Sequence, residues 1–198
     1  MLSRFWVALA VVGLSGSVHA AELIGIKWQD SGFNISTGDL ASTTVNAGLD
    51  FTGAFAIAAE RWNNSPVPFE ITVDTNTQQE SCTPEGPNTT YFSDMACDQN
   101  WNTNVLAVSI TWSTVHDGAA INTSVLFNDD ETWAIYNGNQ QFNIDFTRVA
   151  VHELGHSMGL GHSNSLGAIM EPIAKVMAAQ SDLVEVVEEL RQVVCVKG

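Results

Sequence analysis

The sequence has few basic residues. Lysine and arginine total 7 among 198 residues, against 22 aspartates and glutamates, and the formal net charge at pH 7 is −15. Nucleic acids and anionic membranes are themselves negative, so a chain this acidic would be repelled by both. We therefore expect neither as a partner, and we attribute the acidic surface to solubility or to a salty environment.

Long apolar runs are also missing. The run "FWVALAVVGL" has about ten apolar residues, whereas a membrane-spanning helix needs roughly 20, so stable membrane insertion is not expected. The run follows Met1 and the single cation Arg4, and small residues ending in Ala20 come after it, which is the order of a secretory signal peptide. We expect cleavage after Ala20, secretion to an extracellular or periplasmic space, and one mature domain over residues 21–198.

Cysteine is scarce, with three residues in the chain. Export permits disulfides. Cys82 and Cys97 flank the polar loop "TPEGPNTTYFSDMA", which predicts a bridge that closes this loop. Cys195 is then left over, either as a buried thiol on an apolar helix face or as a partner in an intermolecular bridge.

The chain shows no internal repeat, long low-complexity stretch or linker, which favours one domain. Residue periodicity predicts strands at 22–31, 68–76, 105–112 and 121–129, and helices at 51–65, about 146–158 and 181–194. Asp145 can cap the second of these helices and Gly159 can end it. This order of elements predicts an α+β domain with helices against one sheet.

Histidine is rare as well, yet three of the five lie within "VAVHELGHSMGLGHSN", residues 149–164. His152 and His156 are four residues apart, so one helical turn places both rings on the same face, where they can bind one ion at about 2.0–2.1 Å. Glu153 follows the first histidine directly, which puts its carboxylate beside the ion, where a base could act on a water molecule.

The glycines after this helix allow a third ligand. Gly159 and Gly161 permit a sharp turn that returns His162 toward the metal. Three histidines leave one coordination position open, and an open position is typical of catalytic zinc, whereas structural zinc is usually closed by four protein ligands.

The stretch "HELGHSMGLGH" resembles the metzincin zinc-protease signature, and "GAIMEP" resembles the Met-turn of that group. Ser163 after the last histidine and "LFNDDETWAI" at 126–135 are similar to the matrixin branch. The resemblance covers most of residues 22–198, with its specific motifs at about 126–172. It implies a metzincin-like zincin domain: a mixed twisted sheet of about five strands, an active-site helix, a Met-turn and a C-terminal helix.

The resemblance also implies roles for individual residues. His152, His156 and His162 would bind one catalytic zinc, Glu153 would act as general base and then proton donor, and Met170 would form an apolar floor. The implied function is that of a secreted zinc-dependent endopeptidase that uses a zinc-activated water. A peptide or protein substrate would bind in extended form along "INTSVLFND" as the edge strand, and we expect a monomer.

An acidic turn leaves two alternatives open. Hard oxygen ligands, which Ca²⁺ prefers, gather at Asn128, Asp129, Asp130 and Glu131. The stretch is either a calcium site, as the resemblance favours, or a solvated turn.

The sequence departs from the family at three places. Glu171 stands next to Met170 where many relatives have a neutral residue, so it either selects a basic or polar residue after the cut or points into water. His116 alone cannot supply the second, structural zinc of vertebrate matrixins, and we expect it on the surface. We expect no propeptide with a cysteine switch, and we expect Cys195 on the last helix, away from the metal.

Two other functional classes remain. The first is a zinc-binding but weakly active binding or adhesin module of the same fold, and the second is a zinc hydrolase that acts on a non-peptide amide. Glu153 favours the protease over the binding module, because metal binding alone requires the histidines and no base.

Overall fold

The computed structural model describes residues 23–40, 50–76, 79–136, 143–165, 167–172 and 193–196. The predicted signal peptide, residues 1–20, lies outside these ranges. No helix in the described residues has the length and apolar character needed to cross a membrane. In chain order the elements are β1 (Gly32–Thr37), α1 (Phe51–Asn63), β2 (Glu70–Asp74), β3 (Thr89–Ser93), β4 (Met95–Ala96), β5 (Gln99–Asn100), β6 (Ala107–Thr114), β7 (Ala120–Asn128), β8 (Trp133–Ala134), β9 (Ile144–Asp145), α2 (Phe146–Ser157) and β10 (Val193–Val196).

One mixed sheet organises the domain, with strand order β10-β6-β7-β3-β1-β2. All neighbours run parallel except β6 and β7, which are antiparallel. Five of the six strands come from residues 32–128, so the α+β prediction with a mixed sheet of about five strands is confirmed.

The predicted edge strand is wrong. Strand β7, which contains "INTSVLFND", lies inside the sheet between β6 and β3. Its side chains are buried without a break over 122–128, as expected for a strand covered on both faces. The antiparallel strand that lies outward of β7 is β6. In the described residues, β6 pairs on its outer side with β10 alone, over Thr111–Thr114.

Two further strand predictions need correction. Residues 22–31 do not form the first strand, because Leu23 and Lys27 make only isolated bridges and β1 begins at Gly32. Strand β3 lies inside the loop between Cys82 and Cys97, where we predicted no strand. Its residues pair in parallel with β7, from Thr89 opposite Ser124 to Ser93 opposite Asn128.

The predicted C-terminal helix, residues 181–194, lies mostly outside the described residues. Its last two residues, Val193 and Val194, begin β10, and Cys195 pairs with Ser113 of β6. The prediction of a helix is therefore wrong for this end of the segment, including the position of Cys195. Valine is β-branched and fits a pleated sheet better than a helix, which accounts for the difference.

The two faces of the sheet carry separate cores, because successive residues of a strand point to opposite sides. A helix-side core lies between the sheet and both helices and is centred on an aromatic group, Phe51, Phe92, Phe127, Trp133 and Phe146. A smaller disulfide-side core covers the other face and consists of Tyr91, Val108, Ile110, Trp112 and Leu126. Helix α2 packs within the helix-side core, and this placement positions the histidine motif.

Candidate metal centre

Helix α2 carries the first two histidines, and it begins as the sequence predicts. Asp145 is the N-cap residue, and its carboxylate accepts a hydrogen bond from Thr147 N at 3.2 Å. All helix residues except Arg148 are buried. The indole of Trp62 on α1 donates to Val151 O at 2.8 Å, just before the first histidine. The helix is thus fixed against α1 as well as against the sheet.

The three histidines lie together. His152 and His156 are 1% and 7% exposed, and their Nε2 atoms are 3.1 Å apart. The ring of His162 lies 5.2 Å from that of His152 and 4.9 Å from that of His156, measured between centroids. One nitrogen of each ring falls within 4.8 Å of the others, so the cluster can hold a metal ion.

Backbone carbonyls decide which nitrogen of each helix histidine faces the cluster. His152 Nδ1 lies 2.8 Å from Ile169 O, and His156 Nδ1 lies 2.7 Å from Leu160 O. A carbonyl can only accept, so each Nδ1 must carry the proton and donate it. In a neutral ring the Nε2 atom then carries a lone pair, and both lone pairs are directed toward the cluster.

This arrangement fits zinc. A second-shell hydrogen bond to the other ring nitrogen is the usual support of a zinc-binding histidine. Two nitrogens bound tetrahedrally at about 2.0–2.1 Å from one ion would lie about 3.3 Å apart. The distance of 3.1 Å between the Nε2 atoms is close to this value. Without an ion, two lone pairs would face each other at this distance.

Glu153 and Met170 are both buried at the helix that carries the first two histidines. Glu153 follows His152 on α2 and is 1% exposed. Met170 is 3% exposed and packs on Gly155, where a Cβ added to the glycine would meet the methionine Sδ. The backbone of Met170 also accepts a hydrogen bond from Ser163 N at 2.6 Å, which ties this turn to the residue after His162.

A glycine turn leads from α2 to the third histidine. Gly159 has φ +97°, which favours glycine, and a Cβ added there would lie 2.9 Å from Ile26 O. The turn is closed by Gly159 N to His156 O at 2.9 Å and by Leu160 N to Gly155 O at 3.0 Å. The predicted end of the helix and the return of His162 are thus both present.

Beneath the helix lies a chain of hydrogen-bonded hydroxyl groups that no sequence pattern indicated. Ser157 Oγ accepts from Thr123 Oγ1 at 3.0 Å and lies 2.8 Å from Ser109 Oγ, while Thr111 Oγ1 lies 2.9 Å from Thr123 Oγ1. These four hydroxyl groups join the end of α2 to β7 and β6. Serine and threonine in strands carry no signal of such a partner, because their usual place is the surface.

The acidic turn after β7 is not gathered around one point. Among the histidine, cysteine, aspartate and glutamate side chains of the described residues, only the histidine cluster brings three ligand atoms within 4.8 Å of one another. Asn128 is buried, and its side chain donates to Val105 O and accepts from Asp130 N, both at 3.1 Å. Burial raises the pKa of Asp129, and the charges of Asp130 and Asp94 raise it further. The calcium site therefore stays a prediction.

Two other predicted residues have defined places. The Glu171 carboxylate accepts a hydrogen bond from Gly167 N at 2.5 Å, so it stabilises the Met-turn loop. A role in specificity stays a prediction. His116 is exposed in the β6–β7 turn, as expected. Next to it the pKa of Asp117 is lowered, first by a hydrogen bond from Thr114 and then by Ala119 N and His116.

The predicted disulfide is confirmed. Cys82 and Cys97 are bridged, with their Cα atoms 5.6 Å apart. Both cysteines pack against the disulfide-side core, on the face of the sheet opposite α2. The bridge therefore supports the loop over β3 and β6 and has no direct contact with the histidine cluster in the described residues.

These features define a class of protein. A sheet with one antiparallel strand, a helix with two histidines one turn apart, a glycine turn to a third histidine, and a methionine packed under the helix are together typical of a metzincin-like domain. Its three histidines could bind a metal ion.

Comparison with known proteins specifies the family. Residues 91–188 match the family model Peptidase_M10, matrixin. Matrix metalloproteinase-16 of Homo sapiens is 47% identical over 60 residues, which are 30% of this chain and 10% of that protein. Interstitial collagenase of Bos taurus is 47% identical over 55 residues, which are 28% of this chain and 11% of that protein. The aligned part thus spans about a tenth of these relatives. These matches support a matrixin-like metzincin catalytic domain, with residues 91–188 as the matched part.

Proposed function

We propose that this chain is a secreted zinc-dependent endopeptidase, with residues 1–20 as signal peptide and residues 21–198 as a single, monomeric catalytic domain. The observation that carries the proposal is the orientation of the histidine rings. Both helix histidines donate from Nδ1 to a backbone carbonyl and direct Nε2 toward His162. The family match supports a metalloprotease.

His152, His156 and His162 would hold the ion. Zinc, when bound there, would polarise the scissile carbonyl and lower the pKa of water toward about 7. Glu153 would accept the proton of the attacking water and deliver it to the leaving amine. Burial of Glu153 supports this role, because a carboxylate shielded from bulk water exchanges protons with the reacting groups and not with solvent.

The substrate would be an extended peptide beside β6, which replaces β7 as the proposed binding edge. Strand β10 pairs with Thr111–Thr114, so the peptide would use the first half of β6, Ala107–Ile110. An exposed strand edge binds a peptide through main-chain hydrogen bonds. The negative charge of Glu171 would favour a basic or polar residue after the cut. Calcium at the acidic turn is a further part of the proposal.

The test is hydrolysis of a quenched fluorescent peptide mixture, with zinc content measured for every sample. Glu153→Gln keeps the shape of a buried side chain and removes the base, so activity should fall about 10²–10⁴-fold while one zinc per chain is retained. Glu60→Gln, on the exposed side of α1, makes the same chemical change away from the site and should leave activity unchanged.

Three results would contradict the proposal. A folded wild type that takes up no zinc would exclude a zinc enzyme. A zinc-loaded wild type that cleaves no peptide would exclude the endopeptidase and favour the binding module of the same fold. A Glu153→Gln variant that is as active as wild type would exclude Glu153 as the general base.

A further inference from the structure

The segment before β1 crosses the end of α2 and contacts it through its backbone. Ile24 N donates to Gly159 O at 3.0 Å, and Leu23 forms an antiparallel bridge with Leu160. Ile26 O lies so close to Gly159 that a Cβ there would be 2.9 Å away. Residues 23–26 therefore contact the turn that follows the second histidine.

The same segment is attached to the sheet. Lys27 N donates to Gly118 O at 2.9 Å, and Lys27 O accepts from Ala120 N at 2.7 Å. Gly118 and Ala120 belong to the hairpin between β6 and β7. The backbone of the segment is thus fixed at one end to the sheet and at the other end to the glycine turn.

Trp28 adds a side-chain contact at the helix end. Its indole N–H donates to Ser157 O at 2.8 Å, and its ring packs 4.6 Å from Phe33 of β1. The carbonyls in the last turn of a helix lack partners within the helix, so an outside donor stabilises this end. Trp28 supplies one such donor immediately after His156.

The turn held in this way determines the orientation of a predicted metal ligand. Leu160 pairs with Leu23 and also presents the carbonyl that accepts from His156 Nδ1 at 2.7 Å. His162 follows two residues later. Displacement of the turn would therefore rotate the His156 ring and shift the position of His162 relative to it.

We propose that residues Leu23–Trp28 are a positioning strap, which holds the turn Met158–Leu160 so that His156 and His162 keep their metal-binding geometry. The inference rests on the proposed zinc site and adds to it a segment far from the motif in sequence. Loss of a strap contact should accelerate zinc release, because the bound state loses support that the released state does not need.

The experiment compares two tryptophan variants of the zinc-loaded mature protein. Trp28→Phe removes the indole donor to Ser157 O and keeps an aromatic ring. Trp101→Phe is the matched control, because Trp101 is also partly buried and its indole donates to a backbone carbonyl, Ser93 O, at 2.9 Å, away from α2. Zinc release is followed with a coloured chelator in excess, and thermal unfolding shows that both variants are folded.

Both variants lose one hydrogen bond of the same kind, so their melting temperatures should fall by similar amounts. Trp28→Phe should release zinc about 3–10-fold faster than wild type, and Trp101→Phe should stay within about 2-fold. Ile24→Pro removes the donor to Gly159 O and should also accelerate release. Equal release rates for Trp28→Phe and Trp101→Phe, with Ile24→Pro like wild type, would overturn the inference alone. A wild type that binds no zinc would overturn the proposed function and the strap together.

Discussion

Gly155 lies inside α2, one residue before His156, and replacing it with alanine tests how the Met-turn packs. In the interior of a helix alanine is about 1 kcal/mol more favourable than glycine, so Gly155→Ala would ordinarily stabilise the protein. At this position a Cβ would collide with Met170 Sδ and would lie 3.0 Å from both Met170 Cε and Trp62 Cζ2. The local contacts therefore oppose the helix propensity.

The size of the effect follows from which neighbour can move. Trp62 is fixed by its hydrogen bond to Val151 O, so Met170 must yield. Extra volume in a packed core costs about 1–3 kcal/mol. Together with the propensity gain, Gly155→Ala should lower the free energy of unfolding by about 0–2 kcal/mol. In a chain of this length, that corresponds to a decrease in Tm of up to about 4–8 °C.

Urea unfolding of the zinc-saturated protein measures the change in the free energy of unfolding. The same substitution made in a protein without Met170 shows whether the methionine causes the change. In a Met170→Ala protein both methionine contacts are removed and only Trp62 Cζ2 stays close to the new Cβ, so Gly155→Ala should there stabilise by up to about 1 kcal/mol. The sign of the change should reverse between the two backgrounds, with a coupling of about 1–3 kcal/mol. An equal stabilisation in both backgrounds would refute the contact between Met170 and α2.

Two further predictions concern other parts of the molecule. Replacing Cys82 and Cys97 by serine opens a loop with a sequence separation of 15 and should lower the free energy of unfolding by about 3 kcal/mol. Zinc content should stay at one per chain, because the bridge lies on the other face of the sheet; loss of zinc would contradict this. The raised pKa of Asp129 means that the folded state binds its proton more tightly than the unfolded state, so stability falls as pH rises from the ordinary value of 3.8 through the raised pKa. Asp129→Asn should therefore raise Tm at pH 7 in calcium-free buffer and give no gain near pH 3. Added calcium should raise Tm of the wild type and leave that of the variant unchanged. A wild-type melting curve that does not depend on calcium would favour the solvated turn.

The features that could be predicted from sequence are local. Helix α2 is determined by its cap at Asp145, its apolar spacing and the glycine that ends it, and all three are visible within about 15 residues. The two helix histidines share a face because of the helical period alone. The disulfide followed from a polar loop with a cysteine at each end.

The errors concern pairing between distant segments. Strand β1 has only two strongly apolar residues, Phe33 and Ile35, so its periodicity is weak, while 22–31 looks more like a strand but finds no continuous partner. The resemblance implied an edge position for β7, and its polar residues Asn122, Thr123 and Ser124 do not indicate an interior strand. In the structure all three are buried, and Thr123 is bonded to Ser157 at the helix end. Polar residues with buried partners conceal an interior strand, and no pattern within the strand reveals those partners.

The orientation of the histidine rings also could not be predicted from the sequence. The motif predicts which residues are ligands, but the orientation of each helix histidine ring depends on a backbone carbonyl. Because every residue type has a carbonyl, the sequence carries no signal for this contact. The side chain of Ile169 is 54% exposed, while its carbonyl binds His152 Nδ1. Leu160 likewise acts through its carbonyl. The Met-turn therefore supports His152, the glycine turn supports His156, and the strap supports the glycine turn. Since the two histidines are supported by main-chain carbonyls, side-chain substitutions at Ile169 should be tolerated, whereas shifts of its backbone should disturb the ligand directly.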